Sequence, residues 1–299
     1  MKEFKDRTAV VTGSASGIGR AMAASFLDAG MNVVLADIEE ERLENAVKSF
    51  KESGGNVLGV PMDVSDSEQV QALAQKTLDS FGAVHVLCNN AGIGYPARSS
   101  WEAPLEVWKW ILNVNLMGVV HGIQTFMPIM LEQDTEAHVV NTASITGLVM
   151  NTYSVPYAAS KHAVVALSES LCLELLNRNA KVKISVLCPG PVNTDIINAA
   201  QRFRPDSVPP PPEMTPEEAL FRRAFEIYLE RGMDPGEVAR QVLDAILEER
   251  FYVIPQDFSS SIEQRMQNIL TSKNPEIQPP SQEFLDIFEE VMSKSNDDQ

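Results

Sequence analysis

Thr8-Ala9-Val10-Val11-Thr12-Gly13-Ser14-Ala15-Ser16-Gly17-Ile18-Gly19 is the stretch that decides the fold. A short apolar run breaks at a glycine-containing turn, and Ile18 to Ala29 then reads as a helix stopped by Gly30. The same pattern repeats outward along the chain. Further apolar runs stand at 32–36, 57–60, 84–88, 138–141, 182–187 and 251–254. Helical stretches separate them at 39–51, 67–81, 105–131 and 156–177. Runs that are apolar throughout belong to strands covered on both faces. Regular strand–helix alternation implies parallel order with right-handed crossovers. The expected fold is α/β, a doubly wound parallel sheet of Rossmann type with about seven strands and helices on both faces. Residues 1–299 are read as one domain.

The texture changes after Thr194. Residues 202–215 hold Pro205 and the run Pro209-Pro210-Pro211-Pro212, which suits neither helix interior nor central strand. They are read as an irregular excursion within a 195–231 insertion. Helices are expected at 216–229, after the N-cap Asp234 with Pro235, and at 259–270 within a helical extension over 256–299. The end, 293–299, is polar and expected to fray.

The bulk numbers narrow the partners. With 24 Lys and Arg against 41 Asp and Glu, the net charge is -17. Such a chain repels phosphate backbones and anionic lipid, so neither nucleic acid nor a membrane is expected as a partner. The segment Met1-Lys2-Glu3-Phe4-Lys5-Asp6-Arg7 lacks the apolar region of a signal peptide. Cys88, Cys172 and Cys188 lie in apolar segments without metal or redox spacing, and read as buried thiols. A cytoplasmic protein is expected. His85, His121 and His138 are scattered over separate elements, so no metal site is expected.

Chemistry enters at the first turn. In residues 12–19 the glycines let backbone N–H groups approach a pyrophosphate, and the helix N-terminus faces the negative charge. Gly13, Ser16, Gly17, Ile18 and Gly19 are candidate cofactor contacts. Asp37 closes the second strand, with Ile38 beside it, where a carboxylate accepts hydrogen bonds from the adenosine ribose and repels a 2′-phosphate. No Arg or Lys occupies Ser14, Ala15, Ser16, Ile38 or Glu39. NAD is therefore expected over NADP. Downstream, Tyr157 and Lys161 share a helix face. A free tyrosine has a pKa of about 10, and a neighbouring ammonium lowers it towards the range useful for proton transfer. Such a pair is commonly a packed ring and a solvated amine, so its neighbours decide its meaning. His162 adjoins Lys161 on a different face and reads as structural.

Taken together, these landmarks resemble the short-chain dehydrogenase/reductase family, in the branch with a Thr-Gly-x-x-x-Gly-x-Gly loop and a Tyr-x-x-x-Lys pair. The likeness covers residues 5 to about 195 and weakens towards 255. It implies that Asp63 and Val64 contact adenine, and that Asn90, Ala91 and Gly92 of Asn89-Asn90-Ala91-Gly92 border the cofactor. It implies that the loop containing Pro189, Gly190, Val192 and Thr194 meets the nicotinamide carboxamide. Asn115, Ser144, Tyr157 and Lys161 are the implied catalytic set. Tyr157 would exchange the proton of the substrate oxygen, and Ser144 would donate a hydrogen bond to that oxygen. Lys161 would lower the Tyr157 pKa and bind the nicotinamide ribose, and Asn115 would hold a relay water. Asn113 is a decoy two places earlier, set aside because the neighbours of Asn115 match the family element. The implied activity is NAD(H)-dependent interconversion of a secondary alcohol and a ketone. An NADP-dependent carbonyl reductase and a non-catalytic dinucleotide-binding regulator are the alternatives.

In this family the segment after Thr194 covers the substrate. Ile196, Ile197, Phe203 and the proline run are expected to wall one side of an apolar pocket. Ile93, Gly94, Tyr95, Ile145 and Tyr153, with Ser144 and Tyr157, are expected on the other, and Trp101 is a candidate border. A bulky apolar or aromatic alcohol or ketone is the expected substrate. Helices 105–131 and 156–177 resemble those that pair between subunits, so a homotetramer or homodimer is expected.

Overall fold

Consecutive residues of a strand face opposite sides of a sheet. Ala9 and Val11 pack into one core and Val10 into another, and all three are fully buried. That two-sided burial is why the strand reads as apolar throughout. The computed structural model describes residues 1–94, 99–150, 154–211, 213–277 and 279–297, without the side chains of 295–297. Its sheet has seven strands: β1 (Thr8–Thr12), β2 (Asn32–Asp37), β3 (Val57–Pro61), β4 (Val86–Asn89), β5 (Ala137–Thr142), β6 (Val182–Leu187) and β7 (Tyr252–Val253). Every pairing is parallel, in the order β3-β2-β1-β4-β5-β6-β7. The α/β expectation holds.

One face is covered by α1 (Gly17–Asp28), α2 (Glu40–Glu52) and α9 (Pro235–Glu248), through Met22, Phe26, Leu43, Val242 and Ile246. The other is covered by α3 (Ser67–Phe81), α5 (Gly118–Glu132) and α6 (Val155–Asn177), through Leu73, Phe126, Met130 and Leu175. After β3 the chain returns through α3 to the far side of β1. A crevice therefore opens at the carboxyl ends of β1 and β4, where such sheets bind ligands.

The helix expected over 105–131 is continuous but not uniform. It comprises α4 (Leu105–Leu112), a π-helical turn at Asn113–Met117, and α5. A π turn inserts one residue and rotates the side chains after it, and such turns often mark functional sites. By length and composition this helix could cross a membrane; here it covers the sheet, with Phe126 and Met130 fully buried.

Two elements differ from expectation beyond the sheet. Residues 196–202 form the helix α7 (Ile196–Arg202) inside the insertion. The tail does not fray at 293: α11 (Gln282–Asp297) follows α10 (Ser259–Leu270) and docks on α8 (Pro216–Glu230). Phe284, Ile287 and Val291 bury with Ala224, and Phe284 sits edge-on to Tyr228 at 5.6 Å. Ser293 and Lys294 are exposed on a docked helix whose anchor lies a few residues earlier.

A buried polar ladder ties the second face together. Asn89 Nδ2 donates to Asn141 Oδ1 at 2.9 Å, Asn141 Nδ2 donates to Ser168 Oγ at 3.0 Å, and Ser168 Oγ donates to Val164 O at 2.7 Å. Gly122 of α5 leaves room for it, because a Cβ there would lie 2.0 Å from Asn89 Oδ1. Gly122→Ala is expected to destabilise the protein by ~1–3 kcal/mol, as overpacking does. Urea unfolding of the full chain measures this; unchanged stability would mean that the ladder yields without cost.

Candidate active site

The glycine loop is shaped by close backbone approach. Gly13 has φ +64°, and a Cβ there would lie 2.8 Å from Ala91 Cα. A Cβ on Gly19 would lie 2.1 Å from Gly13 O. Side chains brace the junction. Thr12 Oγ1 accepts from the N–H groups of Asn90 at 2.9 Å and Ala91 at 3.1 Å. Asn90 Nδ2 donates to Thr12 O at 3.0 Å and Gly13 O at 3.3 Å, and Thr142 Oγ1 donates to Asn90 Oδ1 at 3.2 Å. Asn90 is thus a brace between β1, β4 and β5 as well as a cleft-lining residue. Ser16, the N-cap of α1, makes no side-chain capping bond, and no acidic residue occupies the first turn. Unclaimed N–H groups at a helix start suit a phosphate.

A cleft of about 620 Å³ opens here. Gly13, Ser16, Gly17, Ile18, Asp37, Ile38, Asp63, Val64, Asn90, Ala91, Gly92, Ile93, Tyr157, Lys161, Pro189, Thr194, Ile196 and Phe203 line it. Asp37 Oδ2 accepts from Ala15 N at 2.9 Å and Oδ1 from Glu39 N at 3.0 Å, which aims the carboxylate and leaves further lone pairs for a ribose. The donor set therefore fits a nicotinamide dinucleotide: helix-start N–H groups for the diphosphate and a strand-end carboxylate for the ribose.

Gly19, Gly190 and Val192, expected as cofactor contacts, stand behind the cleft wall. Gly19 packs on the glycine loop, Gly190 backs onto Phe258, and Val192 is buried beside Met233, to which it is bridged. Among the expected substrate contacts, Ile145 and Ile197 also lie outside the lining, and Gly94 lies behind Ile196, where a Cβ would come 3.7 Å from Ile196 O. Tyr95 and Tyr153 fall outside the described residues.

Asn115 is fully buried in the π turn. Its Oδ1 accepts from Ile93 N at 2.8 Å, and its Nδ2 donates to Ile93 O at 3.0 Å and Ser160 Oγ at 3.2 Å. Both amide protons are spent, so the side chain clamps the segment after β4. Asn113 is the asparagine that lines the cleft. Sequence spacing could not separate them, because only the π turn rotates one inward and the other into the wall.

The Ser144 hydroxyl stands near enough to the Tyr157 phenol to favour its ionised form, while Ser144 Oγ itself donates to Pro189 O at 3.5 Å. Ser144 ends the strand segment after β5, is buried, and accepts from Thr146 N at 3.2 Å. Lys161 is buried; its Nζ lies 5.6 Å from the Tyr157 ring centre and donates to Thr142 O at 3.0 Å. The expected lowering of the Tyr157 pKa is not what the protein groups produce. Burial raises the phenol above 10, opposed in part by the Ser144 hydroxyl. Burial also pulls the Lys161 ammonium down from 10.5 to about 8. Desolvation outweighs attraction because the two groups are withdrawn from water together.

The cleft has a rim that the sequence did not reveal. Glu39 carboxylate oxygens lie 3.1 Å from Arg42 Nε and 3.9 Å from Arg202 Nε. Asp195 Oδ2 lies 3.5 Å from Arg42 Nη1 and 2.5 Å from Arg202 Nη2. Burial acts to raise the Asp195 pKa, but the bonds from Asn198 and Arg202 and the charges of Arg202 and Arg42 hold it below its ordinary value. On the opposite side, Ala200 and Val208 bury against Val107, Trp110 and Ile111 of α4. No spacing rule connects α2 or α4 with residues 195–208.

Residues 7–204 match the short chain dehydrogenase family. The chain is 34% identical over 281 residues to the CLA biosynthesis dehydrogenase/reductase of Lactiplantibacillus plantarum, covering 93% of this chain and 98% of that protein. It is 41% identical over 195 residues to the 1-deoxy-11-beta-hydroxypentalenate dehydrogenase of Streptomyces exfoliatus, covering 65% and 70% of the two. Among solved structures, a short chain dehydrogenase/reductase from Burkholderia phymatum in complex with NAD superposes with a TM-score of 0.89 at 40% identity, covering 94% of this chain and 100% of that one. The chain belongs to the short-chain dehydrogenase/reductase family, oxidoreductases that act on CH–OH groups.

The buried ammonium has a consequence for stability. With its folded pKa near 8 and an unfolded value near 10.5, Lys161 binds fewer protons folded than unfolded between those values. Its contribution to stability therefore rises with pH across that window. Lys161→Met, which takes this titration away, should be folded at pH 7. Relative to it the wild type should gain on the order of 2–3 kcal/mol from pH 8 to 10.5. Chemical denaturation at several pH values measures the gap; a pH-independent gap would mean that the ammonium is solvated.

Proposed function

We propose that the protein is an NAD(H)-dependent dehydrogenase interconverting a bulky, apolar or aromatic secondary alcohol and its ketone. The observation that carries this reading is Tyr157 lining the same cleft as Asp37, one helical turn from the buried Lys161, with Ser144 buried just behind the lining. Bound there, the nicotinamide supplies a hydride acceptor or donor. The protein supplies the proton path. Tyr157 Oη takes the alcohol proton during oxidation and returns it during reduction. Ser144 Oγ holds the substrate oxygen and keeps Tyr157 oriented. Lys161 Nζ, fixed by Thr142 O, contributes the positive charge that favours the phenolate as it forms. Asn115 acts by holding Ile93 rather than by touching substrate.

The choice of NAD rests on charge. Asp37 and Glu39 both line the ribose end, and the nearby guanidiniums of Arg42 and Arg202 are engaged by Glu39 and Asp195. A 2′-phosphate would meet two carboxylates and no free cation in this group. The apolar substrate reading rests on Ile93, Ile196 and Phe203 in the lining. We read 1–299 as one domain, with 195–231 as a lid and 256–299 as an extension. Subunit pairing through α6 is supported by Leu173 and Leu176, which stand 67% and 57% exposed.

Incubation with NAD and a panel of secondary alcohols, followed by absorbance of the reduced nicotinamide, tests the reading. Tyr157→Phe should lower kcat by at least ~100-fold, as loss of a positioned acid–base group does. Turnover by that variant at the wild-type rate would remove Tyr157 from the mechanism. Because burial raises the Tyr157 pKa, wild-type oxidation should speed up as pH climbs from 6 towards 9, and reduction should slow. An Asp37→Ser, Glu39→Gln double variant should raise the NADP-to-NAD ratio of kcat/KM by at least ~10-fold, one lost charge repulsion being worth about that much. An unchanged ratio would assign the choice to other residues.

A further inference from the structure

The carboxyl end of β6 leads into the loop Pro189–Thr194, two of whose members, Pro189 and Thr194, line the cleft beside Tyr157 and Lys161. Backbone pairing reaches this loop only at its middle, where Met233 N donates to Pro191 O at 3.1 Å and Asn193 N donates to Met233 O at 3.0 Å, and it leaves Gly190 without a strand partner. β6 and β7 pair through Leu187 and Val253, and the last bond runs from Cys188 N to Val253 O at 2.8 Å. Beyond it stand Pro189, Pro191 and Pro255, none of which has an N–H to donate. The chain after β7 supplies a side chain instead. Gln256 Oε1 accepts from Gly190 N at 2.9 Å, and Gln256 Nε2 donates to Pro191 O at 2.7 Å. A primary amide carries one carbonyl and N–H donors, as a peptide unit does, so Gln256 extends the ladder where the backbone cannot.

Two further contacts come from the same extension. A Cβ on Gly190 would lie 2.5 Å from the Phe258 ring, so the ring packs directly on the Gly190 backbone. Arg265 Nη1 donates to Leu148 O at 2.8 Å, in the turn that follows Ser144. The two anchored segments also hold each other, through Ile145 N donating to Pro189 O at 2.8 Å.

We propose that Gln256 is a positioning residue: by continuing the β6 ladder to Gly190, beyond the reach of the Met233 bridge, it fixes the start of the Pro189–Thr194 loop, and thereby the nicotinamide, at the distance from substrate that hydride transfer requires. This rests on the dehydrogenase reading above. The dinucleotide would still be held by the glycine loop and Asp37 without Gln256, because these lie at the other end of the cleft. Positioning errors act on rate far more than on affinity.

The test uses the full-length protein with Gln256→Leu and Gln256→Glu. Leu removes both bonds; Glu keeps the acceptor for Gly190 N–H and loses the donor to Pro191 O. The Leu variant should lose on the order of tenfold or more in kcat, with NAD dissociation constants by calorimetry within about threefold of wild type, since the nucleotide contacts elsewhere are intact. Its primary deuterium isotope effect on kcat should rise as hydride transfer becomes limiting. The Glu variant should fall between, and should approach wild type as pH drops and its carboxyl regains a proton to donate. Amide exchange across residues 190–194 should accelerate in the Leu variant, a readout that does not depend on turnover. Wild-type kcat and isotope effect in Gln256→Leu would overturn the proposal. So would a parallel loss of kcat and NAD affinity, which marks general damage. A wild-type protein that reduces no NAD with any alcohol would instead overturn the dehydrogenase reading; exchange in 190–194 would then decide whether Gln256 holds the loop at all.

Discussion

Everything at the site depends on one close approach, that of the backbone at Thr12–Gly13 to the backbone at Asn90–Ala91. The strands they end, β1 and β4, are neighbours only because the chain reverses its direction of travel across the sheet after β3. Parallel pairing brings Val11 level with Cys88. Just beyond, Gly13 has no side chain where one would lie 2.8 Å from Ala91 Cα. Thr12 and Asn90 then lock the two turns with reciprocal hydrogen bonds. The helix start that faces the cleft, the strand-end carboxylate of Asp37 and the clamped Ile93 all take their places from this junction. Asp37 reaches it through Ala15 N, and Asn115 reaches it through Ile93.

The site is built against stability. Lys161 is withdrawn from water with one carbonyl partner, Thr142 O, and its proton affinity falls accordingly. Burying an ammonium costs free energy unless partners compensate it. Tyr157 and Ser144 add a second pair of polar groups in the same place. A dehydrogenase active site can use this arrangement, since groups held near their switching point move protons readily. The polar ladder from Asn89 to Ser168 shows the contrasting case. There each named donor finds an acceptor, and the burial is structural.

The strands were legible because burial on both faces makes most of their positions apolar, with polar residues such as Asn89 and Asn141 only where a partner satisfies them. The glycine loop was legible because its backbone conformation excludes side chains. The Tyr157–Lys161 pair was legible in place, but its proton affinities were not, since they depend on burial by residues distant in sequence. The hydrogen bonds of Asn115 to Ile93 and Ser160, and the place of Asn113 in the cleft lining, were not legible for a local reason: the π turn between α4 and α5 shifts the helical phase, and nothing in Asn113-Val114-Asn115 announces it. A helical extension over 256–299 was expected, but its docking through Phe284, Ile287 and Val291, and its run past 293, were hidden by its polar end. The Gln256 clamp could be found only by asking which backbone groups three prolines leave unpaired.

Magnitudes decide what holds the 195–208 segment down. The ion pairs among Glu39, Arg42, Asp195 and Arg202 have side chains 24–39% exposed, and such pairs are worth about 0–1 kcal/mol each and weaken in salt. Burial of one Val side chain is worth ~1.5–3 kcal/mol, and Val208 is 2% exposed against Trp110 at 9%. The apolar contact with α4 is therefore the main anchor, and the charges orient the segment over the ribose end. The continuation of α4 carries Asn113 into the lining and Asn115 into the wall. The same helix thus bears the contact with Ala200 and Val208, a cleft side chain and the clamp on Ile93, within nine residues of Val107.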